Sequence, residues 1–168
     1  VSKIKYTIGC DPGDTGAIAL LEDDKIIDVW DMPLVPKLSG KGQETSPQLL
    51  CDTVHEIYKI AVAQWADGET DVRVVIERVH AMPKQGVASV FTFGKAFGLL
   101  IGVMASQGWP ITFVTPQKWK KQHGLIGKPK DASRGLVLNM FPDKSELFKR
   151  KKDHGRADAV LIGMSGAK

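Results

Sequence analysis

The chain has 168 residues, 43% hydrophobic and 25% charged, with a net charge of +4 at pH 7. That balance fits one ordinary globular domain spanning 1–168, large enough for a sizeable core. No run in it approaches the ~18 apolar residues a membrane span needs and its start lacks a signal-peptide layout, so no membrane role is expected.

The residues 6–22, YTIGCDPGDTGAIALLE, read as two antiparallel strands joined by a Gly-rich turn. Asp11 sits where the first strand stops being apolar. A carboxylate beside a core strand is costly unless something pairs with it, so Asp11 is either a ligand for a metal or a phosphate-bearing partner, or simply the opening residue of an Asp-Pro-Gly turn. Strands are expected at 4–10, 17–21 and 26–32, with Glu22-Asp23-Asp24-Lys25 as the second turn. Residues 33–47 are rich in Pro, Gly and Lys without periodicity and read as a mobile loop. Ser46-Pro47 suits the start of a helix, and Leu49, Leu50, Val54, Ile57, Tyr58, Ala61 and Trp65 then recur at helical spacing until Asp67-Gly68. A β-branched run at 72–76 ends in Glu77. Residues 87–106 form a long apolar helix whose Ala88, Gly94, Ala96, Gly98, Gly102 and Ala105 would admit a helix or a sheet at close range. A strand at 111–114, a short basic helix at 117–123, an amphipathic helix at 131–141, a polar basic stretch at 142–152 and a last helix at 154–164 complete the chain. The order β-β-β-α-β-α-β-α-α specifies an α/β domain in which an antiparallel meander feeds parallel strands through helical crossovers.

Charge is unevenly placed. Residues 1–108 hold 10 Lys/Arg against 14 Asp/Glu, and residues 109–168 hold 13 against 5. An acidic half joined to a basic half suits a nuclease, with carboxylates for metal and cations for phosphates, although basic surfaces also serve solubility. Cys10 and Cys51, both in buried-type settings and without a CxxC pair, point to a reducing compartment rather than a zinc site.

Two strands end in lone carboxylates, Asp11 and Glu77. If those strands are neighbours, the two face each other across one backbone pair, roughly 5 Å apart. The stretch KKDHGRADAVLIG adds Asp153, His154 and Asp158; the last two are i and i+4 on one helical face, and Ala157, Leu161 and Ile162 supply an apolar side to pack. Hard oxygen ligands of this kind suit one or two Mg²⁺ ions, which together could activate a water and stabilise a leaving oxyanion at a phosphodiester. Glu77 could instead pair with Arg78 or with a basic residue elsewhere, and Asp153 is well placed to cap the last helix.

These elements resemble the RNase H-like nuclease superfamily and, within it, RuvC-type Holliday-junction resolvases of the short phage kind. IGCDPGDTGAIAL is similar to the opening strand-turn-strand, VVIERV to the Glu-bearing strand, and GRADAVLIG to the closing helix. FGKAFGLLIGVMASQGWPITFVTPQKWKK is similar to the segment between. The resemblance implies an RNase H-like mixed five-stranded sheet flanked by helices, in a cytoplasmic (bacterial or phage-infected host) homodimer. It implies an endonuclease that uses Mg²⁺ and makes paired symmetrical nicks in four-way DNA junctions.

Carried over, Asp11, Glu77 and Asp158 become metal ligands. The fourth position falls on His154, a softer ligand that implies good acceptance of Mn²⁺, or that positions or deprotonates the attacking water; Asp153 is the fallback. The junction-opening aromatic of relatives has no counterpart among Arg78, Val79, His80, Ala81 and Met82. Phe91 or Phe93 could serve, though both sit at core-like spacing. Lys120 and Lys130 match phosphate-holding lysines, and Lys118, Lys121, Lys128, Arg134 and the run Lys149, Arg150, Lys151 and Lys152 extend the track. Neutralising about six phosphates would give a slope near −5 for log K against log[salt]. The helix at 87–106 is the expected dimer contact.

Three other readings remain. One is a broader branched-DNA or other RNase H-fold nuclease, and another is an inactive nucleic-acid-binding module. The third, an actin-like ATPase, needs a second phosphate-binding domain for which the chain has no room.

Overall fold

The computed structural model describes residues 4–38, 40–62, 70–81 and 83–166. Trp65, Asp67, Gly68 and Met82 lie outside them. Among the described residues seven strands and five α-helices follow in chain order: β1 (Ile4–Asp11), β2 (Ala17–Glu22), β3 (Lys25–Asp31), β4 (Leu34–Pro36), β5 (Gln43–Thr45), α1 (Pro47–Val62), β6 (Thr70–Glu77), α2 (Val87–Ser106), β7 (Ile111–Val114), α3 (Pro116–Gln122), α4 (Ala132–Met140) and α5 (His154–Ser165). Short 3-10 turns at Pro142–Phe148 and Lys151–Asp153 lead into α5.

The main sheet has the order β3-β2-β1-β6-β7. β1 pairs antiparallel with β2 and parallel with β6, and β6 pairs parallel with β7. This is the mixed five-stranded sheet expected from the chain order. Asp23 and Asp24 both take positive φ, 46° and 65°, the conformation a two-residue hairpin needs to match strand twist.

Alternation along the strands divides the core between two faces. Tyr6, Ile8 and Cys10 of β1 join Val72, Val74 and Ile76 of β6 under α1 and α2, where Leu50, Val54, Ile57, Leu100 and Met104 cover them. On the other face Ala17, Ala19 and Leu21 of β2 and Val75 of β6 meet Ala157, Val160 and Leu161 of α5, with Trp119, Val137 and Phe148 alongside. Small residues bring α5 against the hairpin. A Cβ on Gly9 would stand 2.1 Å from the Ala159 carbonyl oxygen, and one on Gly155 would stand 1.8 Å from that of Thr15. Both obstacles are backbone. Gly155→Ala is therefore expected to cost about 3 kcal/mol, the upper part of the overpacking range, read as a lowered Tm; an unchanged Tm would contradict this packing.

Three expectations are corrected. Residues 33–47 are not a loop: β4 and β5 form a two-stranded ladder pairing Leu34 with Thr45 and Pro36 with Gln43, turned at Gly40 and Gly42 with φ of 89° and 105°. Buried Thr45 and a Glu44–Lys95 ion pair hold this hairpin to the body. Cys51 is exposed, whereas Cys10 is buried, because position 51 falls on the outer face of α1. Finally, α2 is 20 residues long and apolar enough by length and composition to cross a membrane, although Lys95 interrupts it; within its most apolar window 17% is buried.

Candidate active site

Asp11 closes β1 and Glu77 closes β6. Because these strands are parallel neighbours with Cys10 opposite Ile76, the two carboxylates emerge at the same end of the sheet. Both belong to the strand positions that face α5, and α5 brings Asp158 above them. The three are close enough to feel one another's charge. Burial first, and then the charges of Glu77 and Asp158, push Asp11 up to about 7, although the Gly13 amide and Lys130 pull the other way. Burial also raises Glu77, opposed by the Trp119 hydrogen bond and Lys120 and assisted by Asp158. Asp158 is raised by burial as well, against Ser133, Lys120, His154 and Lys130. A group of buried carboxylates that disfavour each other's ionised form is ordinarily held by a cation.

His154 begins α5 one turn before Asp158. Its Nδ1 lies 3.4 Å from the Lys151 carbonyl oxygen, while its Nε2 is buried without a partner among the described residues. A ring whose Nδ1–H donates to a backbone carbonyl leaves Nε2 as a lone-pair donor, the arrangement of a metal-ligating or proton-accepting histidine.

Among the described residues, no three His, Cys, Asp or Glu side chains converge tightly enough to enclose one ion. Mg²⁺ does not need such a cage, since it is commonly held by one or two carboxylates and completed by water and substrate phosphates. The donor set, three hard carboxylates and one orphaned imidazole nitrogen, fits a divalent cation of the Mg²⁺ or Mn²⁺ kind.

The fallback Asp153 is otherwise engaged. It is 3% exposed and accepts from the Arg150 backbone N–H at 2.7 Å and from Arg150 Nε at 2.9 Å. Burial opposes its ionisation, but Arg150 and then Arg156 outweigh that and lower its pKa. It occupies the N-cap position of α5 without making a capping bond to the helix, because its carboxylate turns back to close the preceding 3-10 turn. Asp31 at the end of β3 bonds both Arg156, at 2.5 Å, and Arg150, at 3.3 Å. This network fastens the entry to α5.

The basic residues divide. Lys120, Lys128 and Lys130 line a cleft of about 300 Å³ whose wall includes Asp158, so three cations and one carboxylate of the site share one depression. Lys118 and Lys121 stand exposed on α3, and Lys151 and Lys152 are exposed before α5. Lys152 and Arg150 border a separate cleft of about 350 Å³ beside the β1–β2 turn. Arg134 leaves the proposed track: its guanidinium donates to the carbonyls of Phe148, at 2.9 Å, and Lys149, at 3.2 Å, and pins the 3-10 segment to α4. Lys149 is paired with Glu146 at 2.5 Å. Phe91, given a core-like position by its spacing, is 72% exposed, and Phe93 is half-buried.

Two residues at this site were not singled out from the sequence as part of it. Trp119 is 1% exposed and donates from Nε1 to Glu77 Oε1 at 2.8 Å, which replaces the Glu77–Arg78 pairing considered above. Ser133 is buried beside Asp158, whose ionised form it favours. A bulky apolar residue inside the basic stretch QKWKK was the available signal for Trp119; nothing marked Ser133.

No family profile matches the chain. Over 145 residues it is 30% identical to a protein named Holliday junction resolvase MOC1, chloroplastic, from Chlamydomonas reinhardtii; the match takes in 80% of this chain and 16% of that protein's length. In structure it is similar to Thermus thermophilus RuvC in complex with Holliday junction substrate, with a TM-score of 0.54 at 15% identity over 99% of this chain and 93% of that one. A second Thermus thermophilus RuvC structure gives 0.50 at 16% identity, covering 98% and 93%. The fold is therefore the RNase H-like fold of RuvC. The chain spans about a sixth of the length of the junction resolvase it matches in sequence, and its likeness to RuvC is one of fold.

Proposed function

We propose that this chain is a divalent-metal-dependent endonuclease that resolves four-way DNA junctions as a homodimer, acting wherever such DNA is found in the cell. The observation that carries the reading is the set of three mutually repelling, largely buried carboxylates, one of which, Asp158, lines a cleft with Lys120, Lys128 and Lys130. The likeness to a named junction resolvase and to a RuvC–junction complex supports it.

A divalent ion held by Asp11, Glu77 and Asp158 would supply charge neutralisation at the scissile phosphate and a lowered pKa for the attacking water. The chain's own groups do the remainder. Lys120 and Lys130 hold the phosphates on either side of the cut, Lys118, Lys121 and Lys128 extend that contact, and Lys151 and Lys152 reach a second arm. His154 accepts a hydrogen bond or a proton from the attacking water at Nε2. His154→Ala is expected to slow cutting by about 100-fold, whereas Asp153→Ala should chiefly lower Tm. Single-turnover cleavage beside thermal denaturation checks this, and the reverse ordering would move the fourth role to Asp153.

Helix α2 is the proposed dimer contact. Gly94, Gly98 and Gly102 recur every four residues, and beyond the helix's own backbone a Cβ at each would meet nothing within 4 Å among the described residues. Val87, at 87% exposure, and Phe91 extend the same face. A stripe of small residues at this spacing lets two helices approach closely, and a two-fold axis through it would present one site to each of two equivalent strands.

The test is cleavage of a synthetic four-way junction against linear duplex, Y-fork and RNA–DNA hybrid, with Mg²⁺, Mn²⁺ or EDTA. Paired symmetrical nicks confined to the junction, absent in EDTA, are expected. Equal cutting of forks would favour a broad branch nuclease, cutting of RNA an RNase H, and binding without cutting an inactive module.

A further inference from the structure

We propose that Trp119 is a positioning residue for the candidate metal centre: its indole N–H fixes one oxygen of Glu77 and leaves the other free to bind the cation. The inference deepens the nuclease reading and rests on it. Trp119 Nε1 stands 2.8 Å from Glu77 Oε1, although the two are 42 positions apart in the chain. Indole offers a single donor and no acceptor, so a fully buried ring fixes where that hydrogen points. The ring itself cannot swing. It is 1% exposed and belongs to the same buried cluster as Val75, Val114, Val137 and Leu161.

Its helix is anchored at the start, where the Thr115 hydroxyl accepts from the Lys118 N–H at 3.3 Å. At the other end the His123 ring lies 3.0 Å from the Leu161 carbonyl oxygen of α5, the helix that carries Asp158. Lys120 Nζ lies 5.3 Å from the centre of the same indole ring, within cation–π range. Trp119 therefore ties a carboxylate expected to bind metal and a lysine expected to bind phosphate to one rigid body. Partners that orient a metal-binding carboxylate are commonly worth 10- to 100-fold in metal affinity.

The test removes the donor and keeps the shape. In Trp119→Phe, and in protein carrying β-(3-benzothienyl)alanine at position 119, where sulfur replaces the N–H, Mn²⁺ is titrated calorimetrically into DNA-free protein. The dissociation constant is expected to rise about tenfold, and the Mg²⁺ concentration for half-maximal cutting to rise with it, while KM for the junction stays within about twofold. A purely structural tryptophan would lower Tm and leave the Mn²⁺ isotherm unchanged, and that result overturns the proposal. The isosteric residue keeps the test decisive if the phenylalanine variant misfolds. Failure of the wild-type protein to cut any DNA would sink the nuclease reading instead, and the Mn²⁺ isotherms would still report on Trp119.

Discussion

Asp11→Asn is expected to abolish strand cleavage and, in metal-free protein, to stabilise the fold at pH 8. The two effects have one origin. Asp11 has a pKa near 3.8 when free and about 7 in the fold. Below pH 4 both states hold the proton. Between pH 4 and 7 the folded state binds it and the unfolded state does not, so stability falls as pH rises, and above 7 the loss is complete. A shift of that size corresponds to roughly 4 kcal/mol, an upper figure because Asp11 keeps partial solvent contact. Asparagine cannot ionise, so the variant should lose most of this decline between pH 5 and pH 8.

Mg²⁺ should reverse the ranking. Binding to the wild-type carboxylates restores stability by mass action, and the variant, lacking a ligand, should respond little. Cutting should drop by at least ~10³-fold, since the ion accounts for several kcal/mol of transition-state stabilisation. Urea denaturation at pH 5 and 8, with and without Mg²⁺, read beside single-turnover cleavage, checks both. Equal stability at pH 8 together with a near wild-type cutting rate would remove Asp11 from the site.

Gly98→Glu should leave the monomer folded and break the dimer. Beyond its own turns of helix, no atom of the described residues lies within 4 Å of a Cβ at this position, and a mid-helix glycine replaced by a better helix former gains up to about 1 kcal/mol. The same substitution places two carboxylates at the close approach of two α2 helices, where like charge and added bulk both oppose contact. A dimer dissociation constant raised at least ~100-fold, about 2.7 kcal/mol, is expected by analytical ultracentrifugation. On a supercoiled cruciform plasmid the product should change from linear, made by paired nicks, to open circle, made by single ones. An unchanged dimer still producing linear plasmid would place the contact elsewhere.

Much of the framework was legible in the chain because it depends on short-range periodicity. Alternation brings β1 and β6 to their ends at Asp11 and Glu77, and the 87–106 helix has the bounds its apolar run implies. The hairpin of β4 and β5 was not legible. Its strands have three residues each and include Pro36, too short for alternation to rise above a Pro- and Gly-rich background, and its stability comes from contacts distant in sequence, such as Glu44 with Lys95. Phe91 misled for a related reason: helical spacing reports a common face and cannot say whether the parent chain covers it.

What the sequence by itself determined was the identity of the donors and the elements that carry them: Asp11 and Glu77 at strand ends, His154 and Asp158 one turn apart, and lysines gathered in the second half. Only the tertiary structure decided which of the neighbouring charges belong together. Asp153 and Asp158 are five positions apart, roughly 140° around a helix, so one can look onto the sheet ends while the other faces away, and composition cannot tell which. The packing of α5 through Gly155 onto the β1–β2 hairpin turns Asp158 towards Asp11 and leaves Asp153 to Arg150. Tertiary structure likewise brings Trp119 to Glu77, 42 positions away in the chain. Side-chain direction at a helix start is set by what the helix rests on, and that support comes from residues more than a hundred positions away.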